Sequence, residues 1–165
     1  MNFKRFFIKK GNHRSGIYPN IYFKMLKTKY EVIFSKDCIY KFNDVDDFDV
    51  NKLFGLSFGF HHTNSIRFGW NVDGDKIAIY AYCYKSGERV MNKITSLSTD
   101  ITNSFEIKVY DDFYELTIYN KISNSTITYI TSKPKTVKWG YRLFPYFGGN
   151  KTAPHNMEIE MKKIY

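Results

Sequence analysis

Two β-strand patterns and two turn dipeptides lie within residues 61–89, HHTNSIRFGWNVDGDKIAIYAYCYKSGER. Asp73-Gly74 favours the two-residue turn of a β-hairpin, because such turns require positive φ angles. With this dipeptide at the turn centre, the apolar pairs on one face are Trp70–Ile77, Phe68–Ile79 and Ile66–Ala81, joined by Cys83. A one-residue slip would turn these side chains to solvent, so the pattern constrains the chain to an antiparallel sheet with one buried face.

The opposite face of the same strands carries tyrosines and cations. The first turn predicts the pairs Arg67–Tyr80, Ser65–Tyr82 and Thr63–Tyr84. A second turn at Ser86-Gly87 adds a third strand with the pairs Tyr84–Arg89, Tyr82–Met91 and Tyr80–Lys93. The predicted surface patch therefore consists of Arg67, Tyr80, Tyr82, Tyr84, Arg89, Met91 and Lys93.

Strand patterns recur along the whole chain at intervals of about eight to twelve residues, which is typical of a sandwich or barrel. The predicted strands are residues 3–8, 21–26, 30–35, 38–42, 53–60, 65–71, 76–84, 88–94, 104–110, 113–120, 126–131, 137–147 and 156–164. A third hairpin turns at Asp111-Asp112 and pairs Val109–Tyr114, Ile107–Leu116 and Phe105–Ile118. No window of helical length has a 3.6-residue period, and the acidic segment 43–51 is predicted to be a loop or short helical turn. We predict an all-β fold, a single two-sheet antiparallel jelly-roll sandwich over residues 1–165.

The 165-residue chain carries a formal net charge of +9, so its surface attracts anionic partners such as nucleic acid, acidic glycans or anionic membranes. No segment is long enough to span a membrane. The apolar run at residues 6–8 is too short for a signal peptide. We therefore expect synthesis inside a cell without a signal peptide, and a final location there or in a virion.

Cysteines and histidines do not form a metal-binding pattern. We expect Cys38 and Cys83 to be buried thiols, with a disulfide as the alternative. No CxxC motif is present, which argues against structural zinc, and we predict no cofactor. If residues 53–60 continue as a strand, His61 and His62 point to opposite faces and cannot share one metal ion.

The tyrosine and arginine patch suits a glycan, because tyrosine offers an apolar body and a polar tip. The predicted ligand contacts are Arg67, Tyr80, Tyr82, Tyr84 and Arg89, with Tyr146 and Asn150 on the rim. The rim residues belong to the glycine-rich segment LFPYFGGNKTAPHN, residues 143–156, whose alternative role is to close the sandwich end with Tyr146 and Phe147. Stacked nucleic-acid bases would fit the same patch, and in a purely structural protein loops or another protein chain would cover it.

The segments KLFGLSFGFHHTNSIRFGW and YFGGN…APH…EIEM resemble the concanavalin A-like jelly-roll superfamily. They also resemble uncharacterised proteins of phages and bacteria. The superfamily resemblance implies that a curved sheet presents its concave face to glycans and that the last strand returns beside the first. The metal-binding loop of legume lectins, the ExDxxE strand of the glucanases and the Arg-x-Glu and Gln-Ile-His signatures of the alginate lyases are absent from the sequence.

These observations favour a non-enzymatic β-sandwich module that binds a glycan or serves a structural role, in a phage virion or as a phage-encoded accessory protein. The first alternative is a polysaccharide lyase, in which Tyr80 or His62 transfers a proton and Arg67 neutralises a uronate carboxylate. The second alternative is a protein that binds nucleic acid or a nucleotide through the same patch.

Overall fold

The computed structural model describes residues 2–16, 20–42 and 49–164. These residues form twelve β-strands and one short 3-10 helix, Lys36–Cys38. The strands are β1 (Lys4–Ile8), β2 (Ile21–Phe23), β3 (Lys27–Phe34), β4 (Asn51–Ser57), β5 (Ser65–Asp73), β6 (Lys76–Lys85), β7 (Glu88–Ser98), β8 (Asn103–Val109), β9 (Phe113–Asn120), β10 (Ser125–Ser132), β11 (Trp139–Leu143) and β12 (Met157–Ile164).

The strands form two six-stranded antiparallel sheets that pack as a sandwich. The first sheet has the order β1-β12-β3-β8-β9-β10, and the second has the order β2-β11-β4-β5-β6-β7. The last strand, β12, pairs with β1 along five residues from Lys4↔Met161 to Ile8↔Met157. The predicted all-β, two-sheet architecture is confirmed.

Alternating side chains from both sheets form one hydrophobic cluster between them. Trp70 of the second sheet is fully buried, and its ring lies 5.5 Å from that of Phe34 in the first sheet. Phe68 and Phe105 meet across the same interface, edge to face, at 5.1 Å. Because these inward positions are filled by apolar residues, the outward face of β5 and β6 is free to carry polar and charged side chains.

The β5–β6 hairpin differs from the prediction by two residues. Its turn centre is Gly74-Asp75, since Asp73 pairs with Lys76, and Gly74 has a φ of 64°. The observed pairs are Ile66↔Cys83, Arg67↔Tyr82, Phe68↔Ala81, Gly69↔Tyr80 and Trp70↔Ile79. Glycine at the first central position with positive φ matches a type II′ turn. Because the displacement is even, every side chain keeps its predicted face.

The predicted strand 38–42 is wrong, and the predicted strands 21–26, 53–60 and 137–147 extend beyond the observed β2, β4 and β11. Residues 38–42 form no strand, since a 3-10 turn closes at Cys38 with a 2.9 Å backbone hydrogen bond to Ser35, and Tyr40 then packs edge to face against Phe147. Strand β4 ends at Ser57, because the Phe58 amide instead bonds the Asn64 carbonyl across a turn. Of the acidic segment 43–51, residues 43–48 lie outside the described residues.

Two further hairpin predictions and the prediction of buried, free cysteines are confirmed. The Ser86-Gly87 turn has positive φ at both residues, 52° and 90°, and pairs Tyr84 with Arg89. The Asp111-Asp112 hairpin has the predicted register, from Val109↔Tyr114 to Phe105↔Ile118. Both cysteines are buried and free. Within the described residues, no helix has the length and apolar character that crossing a bilayer would require.

Candidate functional site: a cationic cavity on the second sheet

A cavity of about 800 Å³ lies on the outer face of the second sheet, the face turned away from the core. Its floor is formed by Lys52 of β4, Arg67 of β5, Tyr82 and Tyr84 of β6 and Tyr141 of β11. The walls come from three loops and from β7, and include Arg14, His61, His62, Arg89, Tyr146 and Asn150.

Strand alternation and one glycine place Arg67 on the floor. Its neighbours Ile66 and Phe68 point into the core, so Arg67 points outward. The residue opposite is Gly55 of β4, and a Cβ atom there would collide with Arg67 Cβ and with the Ile66 carbonyl oxygen. The missing side chain at Gly55 therefore provides the room that Arg67 occupies.

Arg67 is a buried cation with an incomplete set of partners. Its side chain is almost covered, with 6% of the residue exposed. The guanidinium carbon lies 5.3 Å from the centre of the Tyr82 ring, in a cation–π contact. Among the described residues, its buried Nε has no hydrogen-bond partner. Because Nε has no partner in the described part of the chain, the cavity floor holds a guanidinium group with an unused hydrogen-bond donor. Burial also lowers the pKa of Arg67.

Lys52 brings a second cation close to Arg67. Its ammonium group donates a 2.7 Å hydrogen bond to the Gly148 carbonyl and lies 5.1 Å from the Tyr82 ring. Burial, helped by Arg67 and Arg89, lowers the pKa of Lys52 to about 8, and Asp49 opposes this effect. The charge of Lys52 therefore depends on the other cations of the cavity and on any anion that enters it.

His61 and Tyr141 form a hydrogen-bonded pair at one side of the floor. The Tyr141 hydroxyl lies 2.5 Å from His61 Nδ1 and accepts a 3.3 Å hydrogen bond from the His61 amide. Burial, Arg67 and His62 together lower the pKa of His61 to about 4, so its ring is neutral at neutral pH. Ser57 fixes Tyr141, because its hydroxyl accepts a 2.9 Å hydrogen bond from the Tyr141 amide. A neutral imidazole next to a phenol can accept or relay a proton.

Aromatic rings surround the cations. His62 stacks on Tyr84 at 5.1 Å with an interplanar angle of 24°, and Tyr84 lies 6.0 Å from Tyr82. Burial and the neighbouring Tyr84 raise the pKa of Tyr82, while Arg67 and Arg89 oppose the rise, so its hydroxyl stays protonated at neutral pH.

The segment 143–156 contributes to both the cavity and the core. Tyr146 exchanges two backbone hydrogen bonds with Lys52, of 2.8 and 2.9 Å, and these hold the loop against β4. The Tyr146 side chain lines the cavity, whereas Phe147 is 1% exposed and belongs to the core. Phe147 therefore closes the core as the alternative role predicted, and Tyr146 lies at the cavity; a part for Tyr146 in ligand binding stays a prediction.

Among the described residues that line the cavity, positive charge is not balanced by acid. The lining includes Arg14, Lys52, Arg67 and Arg89 and contains neither aspartate nor glutamate. No group of three or more His, Cys, Asp or Glu side chains suited to a metal ion occurs in the part of the chain that the structure describes. The arrangement suits an anionic ligand with apolar surface for the tyrosines to contact.

The structure brings together six of the seven residues predicted to contact a ligand. Arg67, Tyr82, Tyr84, Arg89, Tyr146 and Asn150 all line the cavity. Tyr80 lies on the same face of β6 but outside the lining, because the hairpin register places Tyr82, and not Tyr80, opposite Arg67.

No sequence pattern singled out Lys52. His61 and His62 were predicted to point to opposite faces, and so not to share one metal ion, on the premise that they continue a strand. The strand ends before them, and the turn that follows brings both rings to the cavity wall, 4.3 Å apart. Tyr141 lay within the predicted strand 137–147, with no pattern to separate it from other strand tyrosines. A prediction that the strand ends at Ser57 and that residues 58–64 form a turn would have allowed both histidines to lie on the same side of the sheet.

No protein-family model matches the sequence, and a search of curated proteins finds no match. Several solved structures share the fold. A functionally unknown protein from Saccharomyces cerevisiae superposes with a TM-score of 0.58 at 7% identity, over 93% of this chain and 80% of that chain. An alginate lyase from Klebsiella pneumoniae superposes with a TM-score of 0.57 at 8% identity, over 85% of this chain and 59% of that chain.

The enzymatically active domain of tailspike protein 2 from bacteriophage CBA120 superposes with a TM-score of 0.52 at 13% identity. The match covers 88% of this chain but only 24% of the tailspike chain. At these identities the comparisons show a common β-sandwich fold. The more specific concanavalin A-like assignment stays a prediction.

Proposed function

We propose that the cavity binds a uronate-containing glycan, with a sugar carboxylate paired to Arg67. The observation that carries this proposal is the burial of Arg67, without a carboxylate in the described lining, beneath a cavity large enough for a ligand. A buried charge without a counter-ion costs several kcal/mol in proteins. A carboxylate entering the cavity would supply the counter-charge and pair with the guanidinium in the fork geometry that such groups favour.

The rest of the cavity supports a sugar more than a phosphate backbone. The described lining includes two half-buried tyrosines, Tyr84 and Tyr146, whose rings offer apolar surface to sugar C–H faces and whose hydroxyls can bond sugar oxygens. Lys52 and Arg89 supply charge for a second acidic group. The ligand space is a bounded cavity, whereas nucleic acid binds along extended basic grooves with stacked bases. The fold is also shared with an alginate lyase, and alginate is a polymer of uronic acids.

Calorimetric titration with polymannuronate, polygalacturonate, heparin, a neutral glucan and single-stranded DNA tests this proposal. We expect binding of at least one polyuronate and none of the neutral glucan. Arg67→Met should weaken the polyuronate complex at least about tenfold, a loss of about 1.4 kcal/mol. The exposed Lys135→Gln variant is the matched control, since it removes a charge outside the cavity lining, and it should bind normally.

Three other results would change the class of ligand assigned to the cavity or the role assigned to Arg67. Binding of heparin alone would mean that sulfate, not carboxylate, is the recognised group. Binding of DNA with a steep dependence on salt, and of no glycan, would favour the nucleic-acid alternative. Equal affinity of wild type and Arg67→Met for every ligand would contradict the proposed role of Arg67.

A second candidate function is cleavage of the bound polyuronate by β-elimination, and the His61–Tyr141 pair favours it. In this reaction a base removes the proton next to the carboxylate, the electrons form a carbon–carbon double bond, and the glycosidic oxygen leaves with a proton. Neutral His61 would be the base and the Tyr141 hydroxyl the proton donor, while Arg67 neutralises the carboxylate. These residues replace Tyr80 and His62 in the lyase hypothesis drawn from the sequence.

The ultraviolet absorbance of an unsaturated uronate product separates the two candidates. A lyase would generate it, and Tyr141→Phe would abolish the absorbance while leaving polyuronate affinity nearly unchanged. A glycan-binding module would retain affinity and generate no absorbance with any polyuronate that binds. The sequence-based prediction of a non-enzymatic protein corresponds to the second result.

We also propose that the domain acts in a phage particle or as a phage-encoded accessory protein. The shared fold with the CBA120 tailspike domain supports a role of this kind. Mass spectrometry of purified virions from a host that encodes the chain is the test. Detection of the chain in the particle at a fixed ratio to the capsid protein would support a virion component. Its absence from the particles would exclude a virion component, and only the role of a phage-encoded accessory protein would remain.

A further inference from the structure

Exposed aromatic side chains continue from the cavity floor toward the edge of the second sheet. Phe23, Phe60 and Trp139 are 79%, 73% and 39% exposed, respectively. We call these three residues the aromatic ridge. Large apolar side chains clustered in solvent mark interaction sites more often than isolated ones do.

Strand register connects the aromatic ridge to the cavity. Trp139 and Tyr141 lie two residues apart on β11, so their side chains share the outer face of the sheet. Tyr141 lines the cavity, and Trp139 pairs directly with Phe23 of β2. Side chains two residues apart on a strand are separated by about 7 Å, so the ridge begins one side chain beyond the cavity floor.

The aromatic ridge is held in place by contacts beneath it. Tyr22, between the outward residues of β2, is 8% exposed and donates a 2.5 Å hydrogen bond to the Ser57 carbonyl. The Phe60 ring meets the Trp139 ring edge to face at 6.0 Å. Gly59, with a φ of 72°, turns the chain so that Phe60 reaches Trp139. The Phe60 and Trp139 rings are therefore exposed but held by each other, which lowers the entropy lost when a ligand stacks on them.

We propose that the aromatic ridge binds the sugar units of the same uronate glycan that lie beyond the cavity, by stacking on their apolar faces. This inference rests on the function proposed for the cavity. Continuity through Tyr141 is the argument for a single polymeric ligand. The net charge of +9 favours an acidic polymer over a second copy of this chain, since two such copies repel each other.

The two tryptophans of the chain make the proposal directly measurable. Trp70 is fully buried and Trp139 is partly exposed, so acrylamide quenching of fluorescence reports on Trp139. The probes are a mannuronate disaccharide, which fits within the cavity, and a hexasaccharide, which extends beyond it. We expect the hexasaccharide to protect Trp139 from quenching and the disaccharide to leave it unprotected. Trp139→Phe removes the quenchable signal and verifies its origin.

Affinities of ridge variants complete the experiment. Phe23→Ala and Phe60→Ala should each weaken hexasaccharide binding about tenfold and leave disaccharide binding unchanged, since stacking contributes on this scale. Ile130→Ala is the matched control, because Ile130 is 60% exposed on β10 of the other sheet. It should alter neither affinity.

Three results would overturn the proposal. Equal binding of the two oligosaccharides, with no protection of Trp139, would exclude the aromatic ridge from the binding site while leaving the cavity function intact. Binding of neither oligosaccharide and of no polyuronate to folded wild-type protein would remove the proposed function and the ridge proposal together. Dimerisation in sedimentation experiments that is lost in Phe23→Ala would show that a second copy covers the ridge.

Discussion

The guanidinium of Arg67 lies over the ring of Tyr82 in the neighbouring strand, with 5.3 Å between the Cζ atom and the ring centre. The two residues are direct cross-strand partners in the β5–β6 pair. The ring covers the guanidinium on one side and the cavity opens beside it. This relationship keeps a cation at the cavity floor with 6% exposure and an unpaired Nε, and the following predictions depend on it.

Replacement of Arg67 by methionine should stabilise the ligand-free protein while it removes anion binding. Methionine fills much of the same volume without a buried charge, so we expect the free energy of unfolding to rise by about 1 kcal/mol or more. Urea denaturation measures the change. Arg89→Met removes an equal charge from an exposed position of the same cavity and should alter stability by less than about 0.5 kcal/mol. A large destabilisation of Arg67→Met would show that the guanidinium has a structural role.

Anion affinity should decrease as the pH rises above about 8. The pKa of Lys52 is about 8 in the free protein, and a bound carboxylate raises it. Between these two values, binding takes up a proton, so affinity falls as the pH increases. Calorimetry in buffers of different ionisation enthalpy at pH near 8 detects this proton uptake.

Lys52→Arg provides the control for the pH dependence. Arginine stays charged throughout the range, so the variant should bind polyuronate without proton uptake near pH 8. Proton uptake that persists in Lys52→Arg would assign the titration to another group.

His61 should remain neutral down to about pH 4, and stability should decrease between its two pKa values. Burial lowers the pKa of His61 from 6.5 to about 4, so the unfolded chain binds more protons within this window. Stability attributable to His61 is therefore present above pH 6.5 and is lost as the pH falls toward 4. An NMR titration of the imidazole measures the pKa.

The same titration tests the electrostatic contribution of Arg67. Arg67 is the second cause of the lowered pKa of His61, after burial, so Arg67→Met should raise the pKa of His61. Lys135→Gln, outside the cavity lining, should leave it unchanged. Identical His61 titrations in wild type and Arg67→Met would mean that the two groups are not electrostatically coupled.

Gly55→Ala should destabilise the protein and weaken anion binding together. A Cβ atom at residue 55 would overlap Arg67 Cβ and the Ile66 backbone, neither of which can move without disturbing the β4–β5 pair. Gly149→Ala is the control, since its Cβ would meet only the carboxylate end of the Asp49 side chain. Thermal unfolding of both variants should show a clearly lower melting temperature for Gly55→Ala alone. Equal melting temperatures would contradict the close approach at Gly55.

Local pattern predicted the hairpins well where turn chemistry was unambiguous. Ser86-Gly87 and Asp111-Asp112 fixed their registers, because each dipeptide sits at the centre of two alternating segments. Asp73-Gly74-Asp75 contains one glycine that can occupy either central position of a turn. The pattern of alternation could not distinguish registers that differ by two residues, since both keep Ile66 and Phe68 in the core.

The cavity could be predicted only in part, for a similar reason. Alternation identified Arg67, Tyr82 and Tyr84 as outward residues of neighbouring strands. It carried no information on which loops lie above them. The walls depend on long-range contacts, such as the backbone hydrogen bonds between Tyr146 and Lys52, ninety-four positions apart in the chain.

The sequence by itself determined the all-β class, the antiparallel hairpins and the outward face on which Arg67, Tyr82 and Tyr84 lie. It could do so because strand periodicity and turn preferences act over a few neighbouring residues. Only the tertiary structure decided that Lys52, His61 and Tyr141 join Arg67 around one cavity. That outcome depends on burial and on packing between distant segments, which also shift the pKa values of Lys52 and His61 and which local sequence does not encode.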